Sequence, residues 1–310
     1  MPPTAATLRF VPKTTARHKH SDHRAVTISL TGSIKDPRFH QAKVIAQAIS
    51  SKMPDLVNVQ INGLDQFEYA LWIAKMKPKY PNLVEVLVKG CLVEIDSHKV
   101  LSPDEFAVYA KDKFSVTDAR PLALYSAMAN TAFNDHVKNI SEQLVVLRVN
   151  IDKEPAGQLL IQLYGSICPT TVAHFLNFVE GGRTGPYKTE LVYKGCRFDR
   201  LCKNGWIQTG HIVLPQGKVY QEHPVADENF IIKHDRRGVV SMVNSGPNSN
   251  YSAFMITFKA MPFFDRKYVA IGHVIDGADV LDKMEAVPTR FEQPEVDIEI
   301  ASLEVFTPNA

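Results

Sequence analysis

A chain of 310 residues with 45 % hydrophobic and 22 % charged side chains has room for two packed units and an ordinary globular composition. Its formal net charge of +2 makes no global case for nucleic acid, and no apolar run reaches the ~18 residues of a membrane helix, so neither partner is expected. The four cysteines, Cys91, Cys168, Cys196 and Cys202, form no C-x-x-C pair and no disulfide framework, which suits a reducing, cytoplasmic compartment.

Residues 1–24 carry Arg9, Lys13, Arg17, Lys19 and Arg24 against one acid, Asp22, and are rich in Pro, Thr, Ala and His. Such a composition buries little and reads as a flexible basic arm. A mitochondrial presequence is also basic and acid-poor, but Pro2, Pro3 and Pro12 oppose its amphipathic helix. A third reading is an arm that orders on an acidic partner surface. Nothing orients His18, His20 and His23 as ligands, and no metal is expected.

Residues 25–133 read as an α/β domain. Val26, Ile28 and Leu30 alternate as a strand. Asp36-Pro37 opens a helix with Phe39, Ala42, Ile45, Ala46 and Ile49 as its buried stripe. A strand over 57–61 precedes a helix over 64–77 that turns Phe67, Ala70, Leu71 and Ala74 inward. Strands over 84–88 and 92–95 flank Lys89-Gly90, read as a hairpin turn. Ser102-Pro103-Asp104-Glu105 is a capping box, and a last helix starts at Asp118 with Pro121 in its first turn. The order β-α-β-α-β-β-α resembles a thioredoxin-like or glutaredoxin-like domain, in topology only. Pro81 stands where such folds carry a cis proline. Redox members place a cysteine where the first helix begins. Here that segment reads Gly32-Ser33-Ile34-Lys35-Asp36-Pro37, so no disulfide exchange is expected. Cys91 reads as packing.

A polar linker, residues 134–143, leads to strands over 144–150 and 157–164 and a helix opened by Cys168-Pro169-Thr170-Thr171, with Val172, Phe175, Leu176 and Val179 inward. From Tyr193 to Gly272, short apolar runs alternate with Gly, Pro, Asn and Asp turns, the pattern of an all-β barrel or sandwich.

Within that stretch lie R-F-D-R, N-G-W-I-Q, A-D-E-N-F and S-M-V-N-S-G-P-N-S-N. Phe198-x-Arg200, then Gln208 eight residues on, then D-E-N-F and S-M-x-N-x-G-P-N-x-N resemble the cyclophilins, the peptidyl-prolyl cis-trans isomerases. The resemblance covers about residues 144–306. It implies a mainly-β, eight-stranded cyclophilin-like barrel with flanking helices over 144–310, which with the thioredoxin-like α/β front half makes two domains in all. It implies no cofactor.

Prolyl amide rotation faces a barrier of about 18–20 kcal/mol. A catalyst must seat the proline ring, anchor its carbonyl and aim a strong donor at the imide nitrogen, each such donor being worth roughly 2.7–4 kcal/mol. The resemblance puts Arg200 at the catalytic position and Gln208 and Asn244 at the substrate backbone. Arginine suits the task because it is always charged and forked. The apolar seat departs from the family. Gly205 and Trp206 replace a phenylalanine and a methionine, Met255 replaces a phenylalanine, and Ala253 replaces a glutamine. Phe263 and Phe264 replace a tryptophan and a leucine, and Tyr268 replaces a histidine. The loop over 181–193 is longer than usual, and 210–226 is shorter and has lost glycines.

Two functions follow. One is a divergent cyclophilin that binds proline-containing peptides or proteins as a structural module, with weak or absent isomerase activity. The other is an active isomerase assisting folding, with Arg200 as its main support. The thioredoxin-like front half, N-G-W-I-Q, Phe230, His234 and Asp265–Lys267 resemble a sub-type associated with ciliated cells. That implies a ciliary or flagellar setting, with the basic arm on tubulin or other axonemal proteins.

Overall fold

Alternation of apolar and polar residues makes strand β1 (Val26–Ser33), with Ile28 and Leu30 buried. The structure, a computed structural model, describes residues 25–80, 90–181, 184–185 and 189–308. Residues 1–24, the strand expected over 84–88, Lys89 and Pro81 lie outside the described residues. Asp36 caps α1 (Pro37–Lys52) by accepting from the Arg38 N–H at 2.8 Å, and the expected stripe is buried together with His40. Strand β2 (Val57–Leu64) runs parallel to β1. Asp65 caps α2 (Gln66–Met76), accepting from the N–H groups of Phe67 and Glu68 at 2.7 and 2.9 Å.

Two expectations here need correction. Helix α2 buries Phe67 and Tyr69 and leaves Ala70 and Ala74 exposed, because Phe67 packs into the core of the second half of the chain. Strands β3 (Cys91–Ile95) and β4 (Lys99–Leu101) form a hairpin whose turn lies at Asp96-Ser97, both left-handed at φ 52° and 59°; the hairpin expected around Lys89-Gly90 rests on residues outside the described ones. The last helix, α4 (Leu122–Lys138), starts after Pro121; Asp118 instead accepts from the backbone and side chain of Arg120 and from the Tyr125 hydroxyl. The capping box forms as expected on α3 (Pro103–Phe114). Among the described residues the sheet order is β2-β1-β3-β4, with β1 and β2 parallel and the other pairs antiparallel.

The segment expected as a linker is helical through Lys138. Phe133 and Val137 on α4 share one core with Leu144 and Val146 of β5 (Leu144–Ile151), Leu160 of β6 (Glu154–Leu163) and Ile275 of β11 (Ala270–Asp276). Strand β5 also buries Val145, Leu147 and Val149 on its other face, which explains its unbroken apolar run. Across this contact Lys35 Nζ donates to Asp276 Oδ1 at 2.7 Å and lies 4.5 Å over the Phe133 ring. Gly238 at φ 86° makes room for Phe67, whose ring would lie 3.2 Å from any Cβ placed there.

The second half is an eight-stranded, curled, wholly antiparallel sheet. Its order is β14 (Ile298–Phe306), β5, β6, β11, β9 (Val239–Asn244), β10 (Asn250–Thr257), β8 (Trp206–Thr209), β7 (Arg200–Cys202). An isolated bridge, Arg197 to Glu299, links the segment before β7 to β14 at the far edge. A two-stranded hairpin, β12 (Thr289–Arg290) and β13 (Gln293–Pro294), completes the strands. Helices α5 (Pro169–Val179) and α6 (Ala278–Ala286) flank the sheet. Inside it the rings of Phe175, Phe178, Tyr193 and Phe254 pack with neighbouring centroids 5.0–5.5 Å apart. The D-E-N-F motif is structural: Glu228 accepts from the N–H groups of Thr170 and Thr171 at 3.0 and 2.8 Å, capping α5. No helix among the described residues is long and apolar enough to cross a membrane.

Candidate functional site

Residues directly opposite on neighbouring strands share a face. Register therefore lines up Arg200, Gln208, Met255 and Ser241 across β7, β8, β10 and β9. Their neighbours Leu201, Ile207, Phe254, Ile256, Met242 and Val240 point the other way, into the core. The row runs from the exposed Arg200 to the buried Ser241.

Arg200 donates its Nε to Glu292 Oε2 at 2.7 Å, its side chain 49 % exposed, and its guanidinium carbon lies 5.4 Å from the Trp206 ring. Glu292 is held by its own backbone, whose carbonyl accepts from the Leu201 N–H at 2.7 Å. It sits at the tip of the β12–β13 hairpin beside Phe291, which is 92 % exposed. Arg200, Gln208, Asp199 and this tip line an open depression of about 410 Å³. Asp199 also pairs with His211 Nδ1.

The row's middle is covered. Phe264, in a short 3-10 turn (Pro262–Phe264), lies 5.0 Å from both Trp206 and Tyr268 and 4.5 Å from Phe263, ring centre to ring centre. Met255 and Phe264 are 2 % and 5 % exposed, and with Met261 they form a small core on which Trp206, Val243 and Tyr268 pack. Phe263 is 54 % exposed and stands on the outside of the cluster. Large rings thus fill the middle of the row. At Gly205 a Cβ would lie 3.1 Å from Cys202 O and Sγ, so a bulky wall there would crowd that turn. The crevice lined by Ala253 and Asn244 holds only about 30 Å³, an order of magnitude below the ~300 Å³ at which ligand pockets begin.

Asn244 is turned inward. Its Nδ2 donates to Lys267 O at 2.7 Å and its Oδ1 accepts from the Gly246 N–H at 3.3 Å, the hydrogen bonds of a turn-forming asparagine. Asn244 and Tyr268 line a second depression, of about 510 Å³. The structure therefore brings Arg200 and Gln208 together on one side of the aromatic cluster and leaves Asn244 on the other.

The cluster rests on a polar post. His234, fully buried, meets Asp265 Oδ1 through Nδ1 at 3.0 Å and Ser241 Oγ through Nε2 at 2.8 Å, and its ring stacks edge-on with Phe264. A carboxylate only accepts, so Nδ1 carries the proton and Nε2 accepts from the Ser241 hydroxyl, which satisfies a neutral imidazole. Burial lowers the His234 pKa, and the Asp265 charge only partly opposes this. Burial alone would raise the Asp265 pKa, but hydrogen bonds from the backbone and ring N–H groups of His234 hold it below the usual carboxylate range. The sequence matched His234 and Asp265 to a sub-type without indicating this contact, and it gave no sign of Glu292.

The family model described as "Cyclophilin type peptidyl-prolyl cis-trans isomerase/CLD" matches residues 146–305. The chain is 32 % identical over 274 residues to the Bos taurus protein named "Probable inactive peptidyl-prolyl cis-trans isomerase-like 6", covering 86 % of this chain and 89 % of that one. It is 30 % identical over 277 residues to the Homo sapiens protein of the same name, covering 87 % and 89 %. To "Peptidyl-prolyl cis-trans isomerase H" of Rhizopus delemar it is 37 % identical over 157 residues, covering 48 % and 86 %.

Proposed function

The chain belongs to the cyclophilin-type peptidyl-prolyl cis-trans isomerase family, and we propose that it serves there as a peptide-binding or structural module with weak or absent isomerase activity. The observation that carries this reading is the closed cluster of Met255, Phe264, Trp206 and Tyr268 beside Arg200. A guanidinium can weaken an imide only if the proline ring is held in line with it, and a filled seat removes that positioning. The word "inactive" in the names of two relatives is in keeping with it. The retained Arg200–Gln208 pair favours the second reading, an active isomerase.

The first half reads as a thioredoxin-like spacer, with residues 25–133 and 144–310 as the two domains joined through 134–143. The sheet order β2-β1-β3-β4 with one parallel pair supports it. A redox role is not supported: burial pushes the Cys91 thiol well above its ordinary pKa, away from a reactive thiolate. The basic composition of residues 1–24 suits an acidic filament such as a microtubule, in keeping with an axonemal setting. Cosedimentation of the full chain, with and without residues 1–24, tests that part; equal pelleting of both would remove the arm from the account.

The peptide-binding reading is tested by NMR titration with a proline-containing peptide. The expected result is shifted amides around the rim of the cluster, while the peptide's cis and trans lines stay separate and unbroadened. Exchange between those lines on adding the protein would overturn it.

A further inference from the structure

The two depressions flanking the aromatic cluster differ in charge. At Arg200 the cation is taken by Glu292, and Asp199 stands beside it. Beyond Tyr268 the depression of about 510 Å³ is walled by Phe230 and Tyr268 and carries Arg266, Lys267 and one acid, Asp227. Asp227 is already used: Oδ1 accepts from Asn250 Nδ2 and Oδ2 from the Asn248 N–H, both at 2.9 Å. Arg266 and Lys267 are exposed, and no ion pair or hydrogen bond among the described residues engages either side chain. Arg266 sits at φ 63°, a left-handed conformation that side-chain-bearing residues rarely adopt. The loop is fixed there because its neighbour Asp265 is bonded to the His234 backbone and ring. A cation held out by a strained, anchored backbone is the kind of outlier that accompanies ligand contacts.

We propose that this depression binds an acidic segment of a partner protein. Its carboxylates meet Arg266 and Lys267, and an apolar side chain lies against Phe230 and Tyr268. The inference rests on the peptide-binding reading and names its partner class. Two neighbouring cations between ring walls fit a short run of Asp or Glu. They do not form the long positive groove that tracks a nucleic-acid backbone.

The test is fluorescence anisotropy on the full chain with two labelled peptides of one proline-containing sequence, flanked by Glu in one and by Lys in the other. The Glu peptide is expected to bind at least about tenfold more tightly, with an advantage that shrinks as salt rises. The double variant Arg266→Glu/Lys267→Glu is expected to reverse the preference, and the gained Lys-peptide binding shows that the variant is folded. Lys153→Glu, outside the depression, is expected to change nothing. Equal binding of the two peptides, no binding of the Glu peptide, an unreversed preference, or tighter binding of a single-stranded oligonucleotide of equal charge would each overturn the proposal. Isomerase turnover would instead sink the non-catalytic reading and leave this charge preference standing.

Discussion

Arg200 donates its Nε to Glu292 across the tip of a two-residue hairpin, at 2.7 Å. The pair is about half exposed, so it is worth at most ~1 kcal/mol to stability. Its consequence is chemical: a carboxylate occupies part of the Arg200 guanidinium.

The same tip is strained. Phe291 and Glu292 are both left-handed, at φ 52° and 63°, where hairpins of this type prefer Asn-Gly. A left-handed residue bearing a Cβ costs roughly 1–2 kcal/mol. The double variant Phe291→Asn/Glu292→Gly is therefore expected to raise the unfolding free energy by about 1 kcal/mol after loss of the ion pair. A higher urea midpoint at unchanged slope reports it; a lower midpoint would show that the tip is not strained.

Neighbouring phenylalanines should behave oppositely. Phe264→Ala empties the centre of the cluster and is expected to cost about 3–5 kcal/mol. Phe263→Ala removes a ring that is mostly in water and is expected to cost less than about 1 kcal/mol. Denaturant titration of both variants checks the contrast, and similar costs would mean that the cluster is not closed.

His234 gives a pH signature. Its folded pKa lies below the unfolded value of 6.5, so the unfolded chain takes up a proton first as pH falls. The stability tied to the neutral ring is present above pH ~6.5 and is lost as pH drops toward the folded pKa. Asp265, held below 3.8, adds its own loss only at much lower pH. Stability measured at pH 7.5 and 5.5 should fall more for the wild type than for His234→Gln. Equal slopes would contradict a buried neutral imidazole.

The two halves should unfold together. Phe67 of α2 sits in the second core, and Leu144, Val146, Leu160 and Ile275 sit in the first. Phe67→Ala is expected to cost about 3–5 kcal/mol and to lower one shared calorimetric transition. Two separate transitions, only one of them shifted, would show independent domains.

Local chemistry made much of this fold legible. Asp36-Pro37 and the Ser102–Glu105 box mark helix starts where the structure has them, and the motif from Phe198 to Asn250 identifies the family. Turns without a distinctive residue pair were harder. Asp96-Ser97 adopts left-handed geometry without the Asn-Gly signal, so the β3–β4 hairpin has no mark in the sequence. Long-range pairing left no local trace. The helical stripe of Phe67, Ala70, Leu71 and Ala74 fits a single core, yet Phe67 serves another far along the chain. The unbroken apolar run over 144–147 did carry a signal of burial on both faces. Of the candidate site, the rebuilt rings were visible as residue types, but their closure over Met255 depends on how the 262–268 loop folds back.

The central claim is that Arg200 has lost the ring seat beside it. The most direct measurement is the isomerisation rate of a proline-containing test peptide with the wild type and with Arg200→Ala. Both are expected to leave the uncatalysed relaxation, tens to hundreds of seconds, unchanged. A wild type that shortens it many-fold, with the gain lost in Arg200→Ala, would contradict the account.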